Sequence, residues 1–264
     1  MSVDDLRLLT LHGLRLAGLA TTGSAAEIHD LDPCLVGEQL ERLRIEGLVA
    51  PARGDGGRWV LTESGRSHGE DLLARELDAV SIDDGASGRA VVTSAYRRFL
   101  HLNQQMLAVC TDWQIVDRDP VVLNDHQNPA RDSVVIAALG EIDDRIAPVC
   151  AELEAVLTRF GRYRSGFTEA LRRLGRGETD WLTKPTILSY HTLWFQLHED
   201  LLATLGLERA AETARLNSEP TIERPQGKPE ANPGMRPEPR SGRPSSAQPG
   251  HPDSPLTESP KDSS

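Results

Sequence analysis

The sequence predicts a mainly α-helical protein with one short β-hairpin, and three observations lead to this fold class. Residues 1–81 show short helical patterns and two strand-like runs around a glycine-rich turn. Residues 89–216 show helical periodicity throughout, which indicates a helical bundle. Residues 217–264 hold 11 of the 17 prolines and no aromatic residue, so we expect a disordered tail that cannot bury enough apolar surface to fold.

Composition limits the classes of function. Hydrophobic residues make up 38% of the 264, and no run approaches the roughly 18 apolar residues that a membrane span needs. The N-terminus begins with acids, unlike a secretory signal. The three cysteines form no CxxC pair. We expect a cytoplasmic protein that has no membrane segment, no metal site and no cofactor. No nucleophile or phosphate-binding motif is visible, so we do not expect an enzyme.

The first two helices are predicted from apolar spacing and capping residues. Residues 4–20 place apolar and small side chains on one helical face, and acids occupy the first turn. Residues 25–31 form a short second helix. Ser24 is its expected N-cap, with Glu27 at the spacing of a capping box.

The third helix and a hairpin follow directly. Asp32 is a good N-cap and Pro33 is tolerated at the first helical position, so a helix begins there and ends at Gly47. Residues 48–52 and 58–61 then read as two strands around the glycine-rich run RGDGG. A fourth helix starts within Thr62–Arg66 and continues to about residue 80.

This order of elements resembles the MarR-type winged-helix transcription regulators. The resemblance is carried by AAEIHDL, by the junction LERLRIEGLV, and by the hairpin and exit RGDGGRWVLTESGR. It covers about the first third of the chain. It implies a winged helix-turn-helix that binds double-stranded DNA, with the third helix in the major groove and the hairpin as the wing. It also implies a homodimer, with the helical region as a dimerisation or effector-sensing unit.

The resemblance places the candidate DNA contacts on the third helix and the wing. Gln39 is a natural reader of adenine, and Glu38 can accept from cytosine. The arginines suit phosphate or minor-groove contact. The full candidate set is Cys34, Glu38, Gln39, Arg42, Arg44, Arg53 and Arg58.

Charge leaves a second interpretation open. Residues 1–80 carry 8 Arg and 14 Asp or Glu, a net charge of −6, whereas phosphate contacts supply most non-specific DNA affinity. The alternative is a winged-helix module that binds protein and never reads DNA. In that case, the same arginines are solvated surface charges.

The second region is expected to contain helices near residues 89–111, 132–160, 164–175 and 186–215. Together they would make an antiparallel bundle. Pro148 falls inside the second of these helices and should kink or split it. Polar side chains on apolar stripes and in the loop after the first helix are candidate ligand contacts. They are Asn103, Trp113, Asp125, His126, Tyr190, His191, Trp194 and His198.

Three interpretations of these side chains compete. In the first, they hydrogen-bond within the bundle, as buried polar groups usually do. In the second, the aromatic rings wall a pocket for a small-molecule effector, and the His and Asn groups orient it. In the third, His191 and His198 bind a metal with His126 or Asp125. Because they are seven residues apart, these two histidines would have to lean together to reach one ion.

Overall fold

The computed structural model describes residues 3–54, 56–82 and 87–207, which are mainly helical with small antiparallel sheets. The predicted tail, 217–264, lies outside the described residues, as do residues 208–216 of the predicted last helix. The helices are α1 (Val3–Ala17), α2 (Thr22–Glu27), α3 (Pro33–Ile45), α4 (Glu63–Asp78), α5 (Gly88–Gln114), α6 (Pro129–Val156), α7 (Gly161–Leu174), α8 (Asp180–Thr183) and α9 (Tyr190–Leu205). The strands are β1 (Ala20–Thr21), β2 (Val49–Pro51), β3 (Arg58–Leu61), β4 (Ile115–Arg118) and β5 (Val121–Leu123).

The N-terminal helices pack on a three-stranded antiparallel sheet of order β1-β3-β2. Ala20 pairs with Trp59 across one edge of β3, and Val49 pairs with Leu61 across the other. Leu11 and Leu14 of α1 and Leu40 and Leu43 of α3 are buried in the core of this unit.

Local capping signals explain where α2 and α3 begin. Asp32 caps α3, and its carboxylate accepts from the backbone N–H of Cys34 at 2.7 Å, which confirms the predicted start. For α2 the predicted cap was wrong. The helix begins at Thr22 because Thr21 and Ser24 form the capping box, in place of Ser24 and Glu27.

The hairpin is joined to α4 by a close backbone approach. The Thr62 hydroxyl accepts from the N–H of Gly65 at 3.0 Å and donates to the carbonyl of Gly47 at 2.8 Å. A Cβ on Gly65 would lie 1.8 Å from the carbonyl oxygen of Leu48. The glycine of the exit sequence is therefore needed because α4 starts directly against the backbone of Leu48, the residue before β2.

The second region contains α5, α6, α7 and α9 around one apolar core. Helix α6 runs without a break through Pro148, so the expected split is wrong. The neighbouring Ile146, Val149 and Cys150 are buried, and their packing holds the helix across the missing backbone donor. Helix α9 begins at Tyr190, later than predicted, because Ser189 caps it.

A second hairpin, β4–β5, stands where a loop was predicted. Ile115 pairs with Leu123 and Arg118 with Val121. The strands are four and three residues long, too short for alternation to be distinguished from loop. The valines and the leucine of β5 are exposed.

The two regions pack against each other within one compact unit. Helices α1 and α4 both contact α9, and Leu77 of α4 belongs to the core of the second region. The segment 82–88, between the two predicted regions, lies partly outside the described residues. Over the described ranges, no helix combines the length and the apolar character required to cross a membrane.

Candidate functional site

The outer face of α3 is exposed along its length, as a DNA-reading helix requires. Cys34, Glu38 and Arg42 lie on this face at helical spacing, and Arg44 is exposed beside them. Buried Val36, Leu40 and Leu43 occupy the opposite face. The helix therefore presents a continuous surface to a partner.

The charges on this face are paired within the helix. Arg42 lies 3.4 Å from Glu38, and Arg44 lies 2.7 Å from Glu41. All four side chains are about half exposed, and ion pairs of this kind contribute little to stability. Each arginine could therefore leave its glutamate and bind a phosphate group instead. The two glutamates would still lie close to the backbone of a bound DNA.

Gln39 does not lie on the exposed face. Its residue surface is only 2% exposed, and it belongs to the buried side of α3. Its position three residues after Val36 and four before Leu43 turns it towards the core. The prediction that Gln39 reads a base edge is therefore wrong in this arrangement.

The hairpin places two arginines near its tip. Arg53 and Arg58 are both exposed, one on each side of the turn between β2 and β3. Trp59, the next residue, is half-buried against the N-terminal core. Arg58 is thus displayed from the strand β3, which the core holds in place, and Arg53 from the turn before it.

Most of the predicted ligand contacts in the second region are occupied by neighbouring side chains. The indole N–H of Trp194 donates to Asn103 Oδ1 at 2.9 Å. The Trp194 ring stacks on Phe99 at 4.9 Å, and Phe99 also contacts the His198 ring at 5.0 Å. The Tyr190 hydroxyl donates to Asp143 at 3.0 Å. These side chains form packed core where the sequence suggested pocket walls.

The loop residues form a second, separate cluster. His126 packs on the buried Trp113 ring at 4.4 Å, and its Nδ1 lies 3.0 Å from the carboxylate of Asp132. Asn124 donates to the same carboxylate at 2.9 Å. Asp125 is exposed and accepts from the backbone N–H of Gln127. This cluster orders the entry to α6.

His191 was one of the predicted metal ligands. His191 is half-buried, and burial lowers its pKa. Across the described ranges, no group of three or more His, Cys, Asp or Glu side chains is placed to hold a metal ion. The structure thus does not bring His191 and His198 together with His126 or Asp125 as metal ligands.

Sequence reasoning missed a buried polar network between the two regions. His12 of α1 and Asp200 of α9 have side chains that are 1% and 0% exposed, and His12 Nε2 lies 3.1 Å from Asp200 Oδ1. The other ring nitrogen of His12 lies 3.0 Å from Nε2 of His29. The network therefore runs from α9 through α1 to the residues that follow α2.

Further groups on α7, α9 and the short 3₁₀ turn Thr158–Phe160 complete the network. Tyr163 donates to Asp200 Oδ2 at 2.9 Å, and Thr204 donates to Oδ1 at 3.2 Å. Arg159 donates to the Thr204 hydroxyl at 2.7 Å and lies 3.7 Å from Asp200. Burial alone would raise the pKa of Asp200, but His12, Arg159 and the Tyr163 hydrogen bond hold this pKa below its ordinary value. Asp200 is therefore a buried carboxylate.

Close approach of α1 and α2 brings the two histidines together. A Cβ on Gly13 would lie 2.8 Å from the carbonyl oxygen of Ala25, so only glycine permits this spacing without a shift. His12 precedes this glycine, and the two imidazole rings stack with their centroids 5.0 Å apart. Burial, and then the proximity of His12, lowers the pKa of His29 to about 2.

His29 makes stability depend on pH. An unfolded chain protonates this imidazole near pH 6.5, whereas the folded protein does so only near its lowered pKa of about 2. Its contribution is therefore complete above pH 6.5 and is lost as the pH falls below that value. We expect about 2 kcal/mol of unfolding free energy to disappear between pH 7 and pH 5.

Denaturant unfolding of the parent and of His29→Gln at both pH values measures this loss. The variant should lose clearly less stability than the parent over the same interval. Equal losses in the two proteins would show that His29 does not cause the dependence.

A cleft of about 1280 Å³ opens beside this network. His29, Arg159 and Arg162 contribute to its wall, together with apolar side chains of α1 and α4 and of the segment 156–157. None of the side chains predicted as ligand contacts lines it. The cleft itself was not predicted, because the groups that line it come from elements that are distant in the chain.

Comparisons of the chain with models of protein families, with curated proteins and with solved structures found no match.

Proposed function

We propose that this protein is a DNA-binding transcription regulator whose first 81 residues form a winged helix-turn-helix. One observation carries the proposal. A helix, a turn and an outward-facing helix α3 are followed by an antiparallel hairpin that displays arginines at its tip. This is the arrangement in which such proteins place one helix in the major groove and the wing beside it.

Phosphate contact would fall on the four arginines of α3 and the wing. With four cations involved, the logarithm of the binding constant should fall with the logarithm of salt concentration at a slope of about −3 to −4. A titration of promoter fragments and random DNA at several salt concentrations measures both the slope and the specificity. Affinity for the promoter fragments equal to that for random DNA at about 100 mM salt would reject regulation through DNA reading.

The glutamates of α3 provide a sharper test of which face meets DNA. Glu38 and Glu41 are exposed and lie beside the arginines that would contact phosphate. Removing both charges in Glu38→Gln/Glu41→Gln should raise affinity for DNA about fivefold at low salt, because repulsion disappears and the arginines are released. Fluorescence anisotropy with a labelled duplex measures the change.

The matched control is Glu141→Gln on the exposed surface of α6. It lowers the negative charge of the protein away from α3 and should change affinity less than twofold. Equal gains from the two proteins would indicate a general charge effect. No gain from the α3 variant would place the DNA elsewhere.

A second candidate function is a protein-binding module, and the apolar part of the same face favours it. Leu35 is 44% exposed and Ile45 is 78% exposed, and both lie on the outer side of α3. Exposed apolar side chains among paired charges suit a protein partner better than a phosphate backbone. A photo-crosslinking residue in place of Ile45, activated in cells, would distinguish the two by attaching to polypeptide or to DNA.

The proposed regulator would act as a homodimer that uses the helical region as its dimerisation or effector-sensing unit. The exposed apolar strand β5 and the exposed Val134 of α6 support a partner-binding role for that region. Sedimentation equilibrium of the full chain gives the oligomeric state directly.

A further inference from the structure

The wall of the cleft contains cationic groups that lack acceptors. Arg159 has a side chain that is only 5% exposed, yet within the described ranges its Nε and Nη1 have no hydrogen-bond partner. Arg162 Nη1 is also buried without a partner. Buried donors in folded proteins are almost always satisfied, so these N–H groups call for an acceptor that comes from outside the chain.

The two arginines differ in how far their charge is balanced. Arg159 lies near two carboxylates, at 3.7 Å from Asp200 and 3.4 Å from Glu76. Arg162 donates to the neutral amide oxygen of Gln196 at 2.9 Å, and no described carboxylate lies within ion-pair distance of it. Arg162 therefore contributes an uncompensated positive charge to the inner wall.

Apolar side chains form much of the remaining wall, beside Glu76, which is paired with Arg159, and Glu169, which is paired with Arg172 and Arg173. Leu8 and Leu9 of α1, Ile28, Leu72 of α4 and Leu193 of α9 line the cleft. Ile28 and Leu193 are buried, and the other three are half-buried. A ligand that met only the arginines would leave the three half-buried leucines in contact with water, so the cleft fits an anion with an apolar body.

The mouth of the cleft carries the opposite charge. Four acids, Asp4, Asp5, Glu27 and Asp30, line it against one cation, Arg75, and all five residues are exposed. A ligand with several negative charges would be repelled here more strongly than it is attracted by one uncompensated arginine. The charge distribution therefore selects singly charged anions over polyphosphates.

We propose that this cleft binds a small organic monocarboxylate, whose carboxylate contacts Arg162 and Arg159 and whose apolar body contacts the leucines. Arg159 and Arg162 lie outside the third of the chain that resembles a known family. The proposal does not depend on DNA binding, so either conclusion can fail without the other.

The binding experiment uses hexanoate as the probe ligand and the full-length chain as the protein. Calorimetric titration should give a Kd of about 1 mM, the affinity that an eight-atom ligand reaches at ordinary efficiency. Hexanol, hexylamine and pyrophosphate should each bind at least about tenfold more weakly, because each lacks the charge or the body that the wall selects. Equal binding of hexanol, tighter binding of pyrophosphate, or no heat from hexanoate at about 10 mM would overturn the proposal.

Two pairs of variants locate the site. Arg162→Gln should weaken hexanoate binding by about tenfold or more. Arg176→Gln removes the same charge from the exposed turn after α7 and should change binding less than twofold.

Ser165 lines the cleft and is exposed, so it accepts substitution even if Arg162→Gln does not fold. Ser165→Glu places a carboxylate three residues from Arg162 and should abolish binding, and Ser165→Gln should retain it. Loss of binding in both members of either pair would contradict the assignment.

His29 provides a direct spectroscopic readout. Arg159 and Arg162 both disfavour its protonated form, and an anion bound beside them would offset that effect. The His29 imidazole signals, assigned with His29→Gln, should move with hexanoate and stay unchanged with hexanol. A His29 spectrum that hexanoate leaves unaltered would place the carboxylate elsewhere.

Discussion

Asp200→Asn should lower the free energy of unfolding by about 3–5 kcal/mol, the effect of breaking a buried ion pair from one side. The carboxylate is fully buried and is contacted by His12, Arg159, Tyr163 and Thr204. Asparagine keeps the shape but removes the negative charge, so Arg159 loses one of its two anionic neighbours. Guanidinium unfolding followed by circular dichroism measures the difference.

The control for this variant is Glu152→Gln. Glu152 is paired with Arg98 on an exposed surface, and pairs of this kind are worth about 1 kcal/mol or less. Because the pKa of Asp200 is lowered in the folded protein, its contribution is present above about pH 3.9 and is lost only as the pH falls below that value. Ionisation of Asp200 itself should therefore leave the gap in unfolding free energy between the parent and Asp200→Asn fully present at pH 5. A gap no larger than that of the control would show that the network contributes little.

Gly65→Ala should lower the free energy of unfolding by about 3 kcal/mol or more, because the new methyl group has no room. Its Cβ would lie 1.8 Å from a backbone oxygen of Leu48, and backbone cannot move aside as a flexible side chain can. The same shift would displace the hairpin from α4, so DNA affinity should also fall in the folded fraction.

Gly69→Ala, one turn further along α4, is the matched comparison. Its nearest neighbour would be Leu11 Cβ at 3.7 Å, an ordinary van der Waals contact. Alanine is the better helix former, so this variant should be more stable than the parent by about 0.5–1 kcal/mol. Similar losses in the two variants would mean that the loss of glycine itself, and not the contact with Leu48, sets the effect.

The sequence predicted the elements whose signals are local. Asp32 and Pro33 mark the start of α3, and the glycine-rich turn marks the first hairpin, since each depends on a few adjacent backbone groups. Residues 115–123 were missed because very short strands carry no readable periodicity. Pro148 was misread because burial of its neighbours compensates for the lost donor.

The candidate sites were harder to predict because they depend on which face of a helix turns inward. Gln39 belongs to an inward face, whereas Glu38, one position earlier on α3, is exposed. The cleft and its network join His12, His29, Arg159 and Asp200, which no single pattern connects. Asn103 and Trp194 follow the first of the three interpretations, because they form a hydrogen-bonded pair inside the core.

The contact between His12 and Asp200 also limits how the chain can be recombined. A chimera that fused residues 1–81 to an unrelated scaffold would leave His12 without Asp200 and Arg15 without Glu199 of α9. Among the described polar contacts of these two side chains, only those with His29 and Glu70 would remain. Moving residues 1–81 to another protein would therefore require either α9 as well or a redesigned surface of α1 where α9 now packs.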